Sequence, residues 1–204
     1  MSRSFRPSIT RILVELGETN MRCAIMEKGD MRDMRVFKLA DHPSLIAAVE
    51  HYCADVSFQR EARMGLLVAL APQPKDGTYY FKHTPQWNFK PQDVMHALGL
   101  ASIHLINDLE SHAYAVLVGA RGETLFEGKA RKDGPVAIVA PGTGLGFGYA
   151  FPELKYVQQA LGAHMHFPGL GPDDEIYAKL KPHMLYGEPT YEDVVSGPGL
   201  KIMR

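Results

Sequence analysis

Residues 11-RILVELG-17 form a short apolar-rich run that ends at polar turn residues, the mark of a strand. The pattern predicts a strand there, a second over 22-RCAIMEKG-29 after a tight polar turn, and a third over 34-MRVFKLA-40. A helical period follows. In 43-PSLIAAVEHYCADV-56, Leu45, Ile46, Val49, Tyr52 and Cys53 fall on one helical face behind an opening proline. The continuously apolar run 65-GLLVALAP-72 predicts a buried strand of the parallel-sheet kind. Beyond it the pattern predicts a hairpin over 77–89, a helix over 91–99 and a buried strand over 101–107. A helix over 108–119 follows, with Leu109, Ala113, Val116 and Leu117 inward. An antiparallel opening followed by strand–helix alternation predicts an α/β sheet with a mixed edge. The stretch 119–135, rich in glycine and charge, reads as a surface connection carrying one short strand. The strand pattern restarts at Val136, so a boundary is expected in this part of the chain. Two α/β domains are expected, 1–110 and 111–204.

Bulk properties narrow the function classes. A chain of 204 residues, 46% of them hydrophobic, can fill one large core or two small ones. Its 22 basic and 23 acidic residues leave a net charge of −1, which predicts neither a nucleic-acid footprint nor a membrane-surface patch. Cys23 and Cys53 have no CxxC spacing, so a reducing compartment and no zinc site are expected. Near the start the apolar run 12-ILV-14 is too short for a signal peptide or a spanning helix. The expectation is a soluble, cytoplasmic protein.

Three stretches carry candidate chemistry. In 136-VAIVAPGTGLGFGYA-150, Gly142, Gly144, Gly146 and Gly148 occupy every second position. Glycine costs an element about 0.5–1 kcal/mol relative to alanine, so the ladder marks a close approach of some kind. A bulged or tightly packed strand would need it, and so would an anion meeting the backbone N–H groups of Pro-Gly-Thr-Gly. In 14-VELGETNMRCAI-25, Glu15 precedes a turn containing Gly17, Thr19 and Asn20. That is ordinary hairpin chemistry, or a second phosphate turn with a carboxylate that manages a metal ion. Asn107 and Asp108 sit between a buried strand and a helix. One of them caps the helix, or both face a ligand at the carboxyl end of the strand, where Asp108 can accept a hydroxyl proton.

The order of these stretches resembles the bacterial glucokinase family, of the sugar kinase and actin-like ATPase superfamily. The opening Asp-x-Gly-Gly-Thr-Asn-x-Arg is similar to 15-ELGETNMR-22, and the family's sugar-loop segment to 83-HTPQWNF-89. Ile-Asn-Asp is 106-IND-108, and Gly-Pro-Gly-Thr-Gly-Leu-Gly resembles 140-APGTGLG-146. Gly-Gly-His resembles 162-GAH-164, and Ser-Gly-Pro-Gly-Leu is 196-SGPGL-200. The resemblance implies a two-lobed actin-like ATPase (ribonuclease H-like) α/β fold with mixed sheets. It implies ATP-dependent phosphorylation of glucose, or a related hexose, at the 6-hydroxyl, with ATP and Mg²⁺. Asp108 would be the base, and Asn107, His164 and Glu192 would hold sugar hydroxyls. Gly17, Thr19 and Asn20, with Gly142, Thr143 and Gly144, would hold ATP phosphates. Asp108, Gly142, Thr143 and His164 would line a cleft between the lobes.

The chain also departs from that pattern. Glu15 is one methylene longer than the family's Asp, and Glu18 replaces the second glycine. A carboxylate beside a triphosphate costs about 3–4 kcal/mol per contact at an effective dielectric of about 20. Leu161 stands where the family has a sugar-binding Glu, and His166 where it has an Asp. The lost hydrogen bond removes roughly 1.5–3 kcal/mol of sugar affinity. His164 and His166 are two apart on an expected strand, but with no third ligand evident no metal site is expected. Family members continue beyond the match to 196-SGPGL-200 through an adenosine-binding segment and further helices. The resemblance therefore implies a family fold whose C-terminal part is missing here, with turnover by this chain weak or absent. It also implies a second copy or a complementary chain covering the open side. The other reading is a sugar-binding, regulatory or assembly module that keeps the fold without turnover.

Overall fold

The computed structural model describes residues 10–17, 19–59, 64–71, 74–81, 84–120, 122–129, 131, 133–169, 174–184 and 187–204. The chain divides into two compact units, Met1–Asp108 and Leu109–Arg204.

In the first unit, β1 (Arg11–Leu16) turns Ile12, Val14 and Leu16 inward, so burial alternates along the strand even though Leu13 is apolar as well. β2 (Asn20–Glu27) runs antiparallel to β1 with Glu15 opposite Arg22, and β3 (Asp30–Lys38) runs antiparallel to β2. Lys28 and Gly29, at φ 54° and 99°, make the two-residue turn between β2 and β3. That turn pairs Glu27 with Asp30, so β3 starts at Asp30 rather than at Met34. Backbone pairing carries these polar residues into the ladder, and hydropathy does not register it. The charges along β3 also suit an edge strand, where they discourage pairing with another chain.

Ser44 caps α1 (Leu45–Asp55), accepting a hydrogen bond from the Ala47 N–H at 3.2 Å. Leu45, Ala48, Val49, Tyr52 and Cys53 form its buried face. β4 (Gly65–Leu70) pairs parallel with β1 and is apolar almost throughout, as a central parallel strand must be. The small hairpin of β5 (Pro74–Lys75) and β6 (Thr78–Tyr79) turns at Asp76 and Gly77, both at positive φ. The expected hairpin over 77–89 is therefore shorter and earlier. Of the longer pairing, only the Tyr79–Phe89 bridge forms among the described residues, with stacked rings 5.3 Å apart. After α2 (Pro91–Ala97), β7 (Ser102–Asn107) pairs parallel with β4. The sheet order is β3-β2-β1-β4-β7, parallel at its centre with an antiparallel edge. Its core gathers Ile12, Val14, Leu66 and Val68 from strands, Val49 and Tyr52 from α1, and Trp87.

The division between units falls at the start of α3 (Asp108–Leu117). In the second unit β8 (Val136–Pro141), β9 (Leu145–Phe151) and β10 (Tyr156–Ala160) form an antiparallel sheet in the order β10-β9-β8. Ala113 of α3 packs with Ala150 and Val157 on one sheet face, joined by Val116, Leu117 and Ile138. α4 (Glu175–Leu180), α5 (Tyr191–Val195) and α6 (Gly197–Met203) follow. Two expectations fail in this unit. The connection 119–135 carries no strand among its described residues; Leu125 and Phe126 are each 90% exposed and gain nothing from a neighbour. His164 and His166 do not share a strand. Gly162–His164 is a 3-10 turn, with Gly162 seated on the Phe147 ring, and His166 forms an isolated bridge with Thr190.

Candidate functional site

In the first unit the candidate residues gather at one edge of the sheet. Leu16 of β1 pairs with Leu70 of β4, which pairs with Asn107 of β7, so the three parallel strands end level. Gly17 continues β1 past this edge, and Asp108 continues β7 into α3. Strands lie about 4.8 Å apart, so the Gly17 turn and Asn107 are roughly 10 Å apart along the edge. Carboxyl ends of parallel strands are where open α/β sheets bind ligands. Asn107 and Asp108 are half-buried there. The turn itself is tight: the Gly17 N–H donates to the Asn20 carbonyl at 3.0 Å, and the Thr19 carbonyl accepts from Leu39 N–H at 3.0 Å. Glu18 lies outside the described residues. Glu15 is held by Arg22, its direct partner across β1 and β2.

In the second unit Gly142, Thr143 and Gly144 form the turn from β8 to β9, with Pro141 opposite Leu145. The Gly142 N–H closes the turn onto the Gly144 carbonyl at 2.8 Å, while the Gly142 carbonyl accepts from Gly197 N–H at 2.8 Å. The turn is thereby fastened to the start of α6. The ladder's four glycines answer to different neighbours. A Cβ on Gly146 would lie 2.5 Å from Leu109 Cδ2, and one on Gly148 would touch Leu109 and the Gln158 carbonyl. One on Gly144 would lie 2.7 Å from Oε2 of Glu192. Only at Gly142 would it meet nothing within 4 Å. Packing thus explains Gly146 and Gly148, and an open approach explains Gly142. No hydrogen bond to a described residue engages the Thr143 or Gly144 N–H. These donors, beside an exposed Gly142 and Thr143, fit an oxyanion such as a nucleotide phosphate.

The segments that carry His164 and Glu192 are joined by backbone hydrogen bonds. The Met165 carbonyl accepts from Tyr191 N–H at 3.1 Å, and the Phe167 N–H donates to the Pro189 carbonyl at 2.6 Å. His164 and Glu192 each lie one residue beyond the rung that joins Met165 to Tyr191. His164 is exposed. Glu192 is fixed by α5, which Thr190 and Asp193 close with a capping box. Oε2 of Glu192 accepts the Leu145 backbone N–H at 2.8 Å. Sequence reasoning missed that partner, because a backbone amide has no signature in side-chain pattern. Leu161, preceding Gly162, is 77% exposed. Among the described residues no group of three or more His, Cys, Asp and Glu could hold a metal ion. No helix among them is long and apolar enough to cross a membrane.

The glucokinase family model matches residues 12–203. The chain is 30% identical over 204 residues to the bifunctional protein glk of Burkholderia lata, covering 95% of this chain and 30% of that protein. It is 32% identical over 202 residues to the glucokinase of Cupriavidus pinatubonensis, covering 93% of this chain and 57% of the relative. The glucokinase of Balamuthia mandrillaris, solved in complex with glucose, shares the fold. Its TM-score is 0.74 at 19% identity, covering 98% of this chain and 62% of that one. The fold is that of the glucokinases. The chain spans only part of the length of the relatives it matches. It belongs to the glucokinase family.

Proposed function

We propose that this member of the glucokinase family binds glucose or a related hexose and directs its 6-hydroxyl to the γ-phosphoryl group of MgATP. Asp108 takes the hydroxyl proton as it attacks, and Asn107, His164 and Glu192 orient the ring by hydrogen bonds to other hydroxyls. Gly142, Thr143 and Gly144, with Gly17, Thr19 and Asn20, present backbone and hydroxyl donors to the phosphates. Phosphoryl transfer asks mainly for positioning and charge neutralisation, and a rigid turn of amides supplies both. The observation that supports the reading is the level ending of β1, β4 and β7, with Asn107 and Asp108 at the same end of the sheet as the Gly17 turn.

Turnover by these 204 residues is low in this reading. Leu161 offers sugar no hydrogen bond, Glu18 brings a negative charge to the phosphate turn, and Glu15 is paired with Arg22. A second reading, sugar binding without turnover, is favoured by Glu18, whose charge opposes a phosphate in the turn while Asn107 and Asp108 are kept. An assay of glucose 6-phosphate formation coupled to a dehydrogenase separates them. Slow ATP-dependent product formation that Asp108→Ala abolishes supports the kinase. Calorimetric glucose binding with no product supports the binding module. A chain that neither binds glucose nor forms product refutes both.

A further inference from the structure

The Gly-Thr-Gly turn holds one anion already. Oε2 of Glu192 accepts the Leu145 N–H at 2.8 Å, and the Gly144 Cα faces the same carboxylate. A Cβ on residue 144 would lie 2.7 Å from Oε2 and 3.3 Å from Cδ of Glu192. Gly144 is not at positive φ, so backbone conformation does not demand a glycine there. The carboxylate does. Leu145 is buried and Gly144 half-buried, whereas Gly142 and Thr143 are exposed. The turn therefore has two sides: an open one at Gly142 and Thr143, and one occupied by a side chain from α5.

We infer that Gly144 and the Leu145 amide are positioning residues that seat the Glu192 carboxylate, so one turn serves the sugar as well as the phosphate. The phosphate share falls to Gly142, Thr143 and the remaining amides, and the absent side chain at Gly144 serves Glu192. This rests on the proposed role of Glu192 in holding a sugar hydroxyl. A carboxylate has more lone pairs than one amide can use. With Oε2 committed to Leu145, Oε1 keeps a fixed direction from which to accept a sugar hydroxyl. Charge-assisted hydrogen bonds of this kind are short and directional. α5 alone would leave the side chain free to rotate about its χ angles.

Two measurements on the 204-residue chain decide the matter. By nuclear magnetic resonance without ligand, the Leu145 amide proton should lie downfield, as an N–H bonded to a carboxylate does. It should move upfield in Glu192→Ala and in Gly144→Ala, while other amides of the unit keep their native shifts. A Leu145 amide whose shift is unchanged in Glu192→Ala overturns the seat. For sugar, Glu192→Ala and Gly144→Ala should each weaken glucose about tenfold or more. The double variant should be no weaker than Glu192→Ala alone. Additive losses would mean that Gly144 acts on the sugar by some other route, which overturns the positioning role. If the unmodified chain binds no glucose, the proposed function fails, while the amide shift still decides whether the seat exists.

Discussion

Gly146 on β9 faces Leu109 of α3 so closely that a Cβ on the glycine would fall 2.5 Å from Leu109 Cδ2 and 2.9 Å from Cγ. Half of the glycine ladder is therefore a packing surface. Gly146→Ala should destabilise the second unit by about 1–3 kcal/mol, the usual cost of overpacking. Leu109→Ala removes the obstructing atoms at its own cost of about 2–5 kcal/mol as a buried leucine. Because the two changes relieve one another, the double variant should lose less than the sum of the single losses. Denaturant titration of the four proteins measures this. Strict additivity would show that the two residues do not meet.

Gly199 has a less forgiving neighbour. A Cβ there would overlap the backbone carbonyl oxygen of Asp193, and a carbonyl cannot swing aside as a side-chain tip can. Gly199→Ala should therefore disrupt the junction of α5 and α6. Ser196→Ala removes the oxygen that accepts the Gly199 N–H at 3.2 Å and should cost about 1 kcal/mol as a lost cap. Thermal melts should rank Gly199→Ala clearly below Ser196→Ala. The reverse order would contradict the steric account.

Burial pushes the Cys23 thiol up from 9.0 to about 12, with the neighbouring Cys53 adding to the effect. Above about pH 9 the unfolded chain has lost a proton that the folded chain keeps. This contribution to stability is therefore whole below about pH 9 and falls as the pH rises toward 12. Burial raises Tyr52 as well, with the same sign. Urea midpoints between about pH 8 and 10.5 should fall less steeply in Cys23→Ala, which loses the thiol's part. Parallel slopes in the two proteins would remove Cys23 from the account.

Leu161 is 77% exposed, so Leu161→Glu should change stability by less than about 0.5 kcal/mol. In the proposed sugar site the new carboxylate adds one charge-assisted hydrogen bond, and glucose affinity should rise about ten- to a hundred-fold. Calorimetry reads this directly. Unchanged affinity in a stably folded variant would show that residue 161 does not reach the sugar.

The sequence by itself determined the first sheet. Ile12, Val14 and Leu16 take every second position because β1 has one fully buried face, and 65-GLLVAL-70 is apolar throughout because β4 is buried on both faces. Hydrophobic period is a local quantity, so it is readable wherever burial follows it. The order of the Gly17 turn, Asn107–Asp108 and the Gly-Thr-Gly turn was legible in the same way. Only the tertiary structure decided what each glycine is for. A missing side chain shows that something approaches, and its identity depends on residues far along the chain. Gly146 answers to Leu109, Gly144 to Glu192, and Gly142 to open space. The Leu145–Glu192 bond spans 47 residues and uses a backbone amide that every residue except proline carries. The strand expected within 119–135 failed for the matching reason: Leu125 and Phe126 are apolar, but no described strand lies there to pair with or bury them. Pairing and close approach are relations between distant segments, and they exist only once the chain has folded.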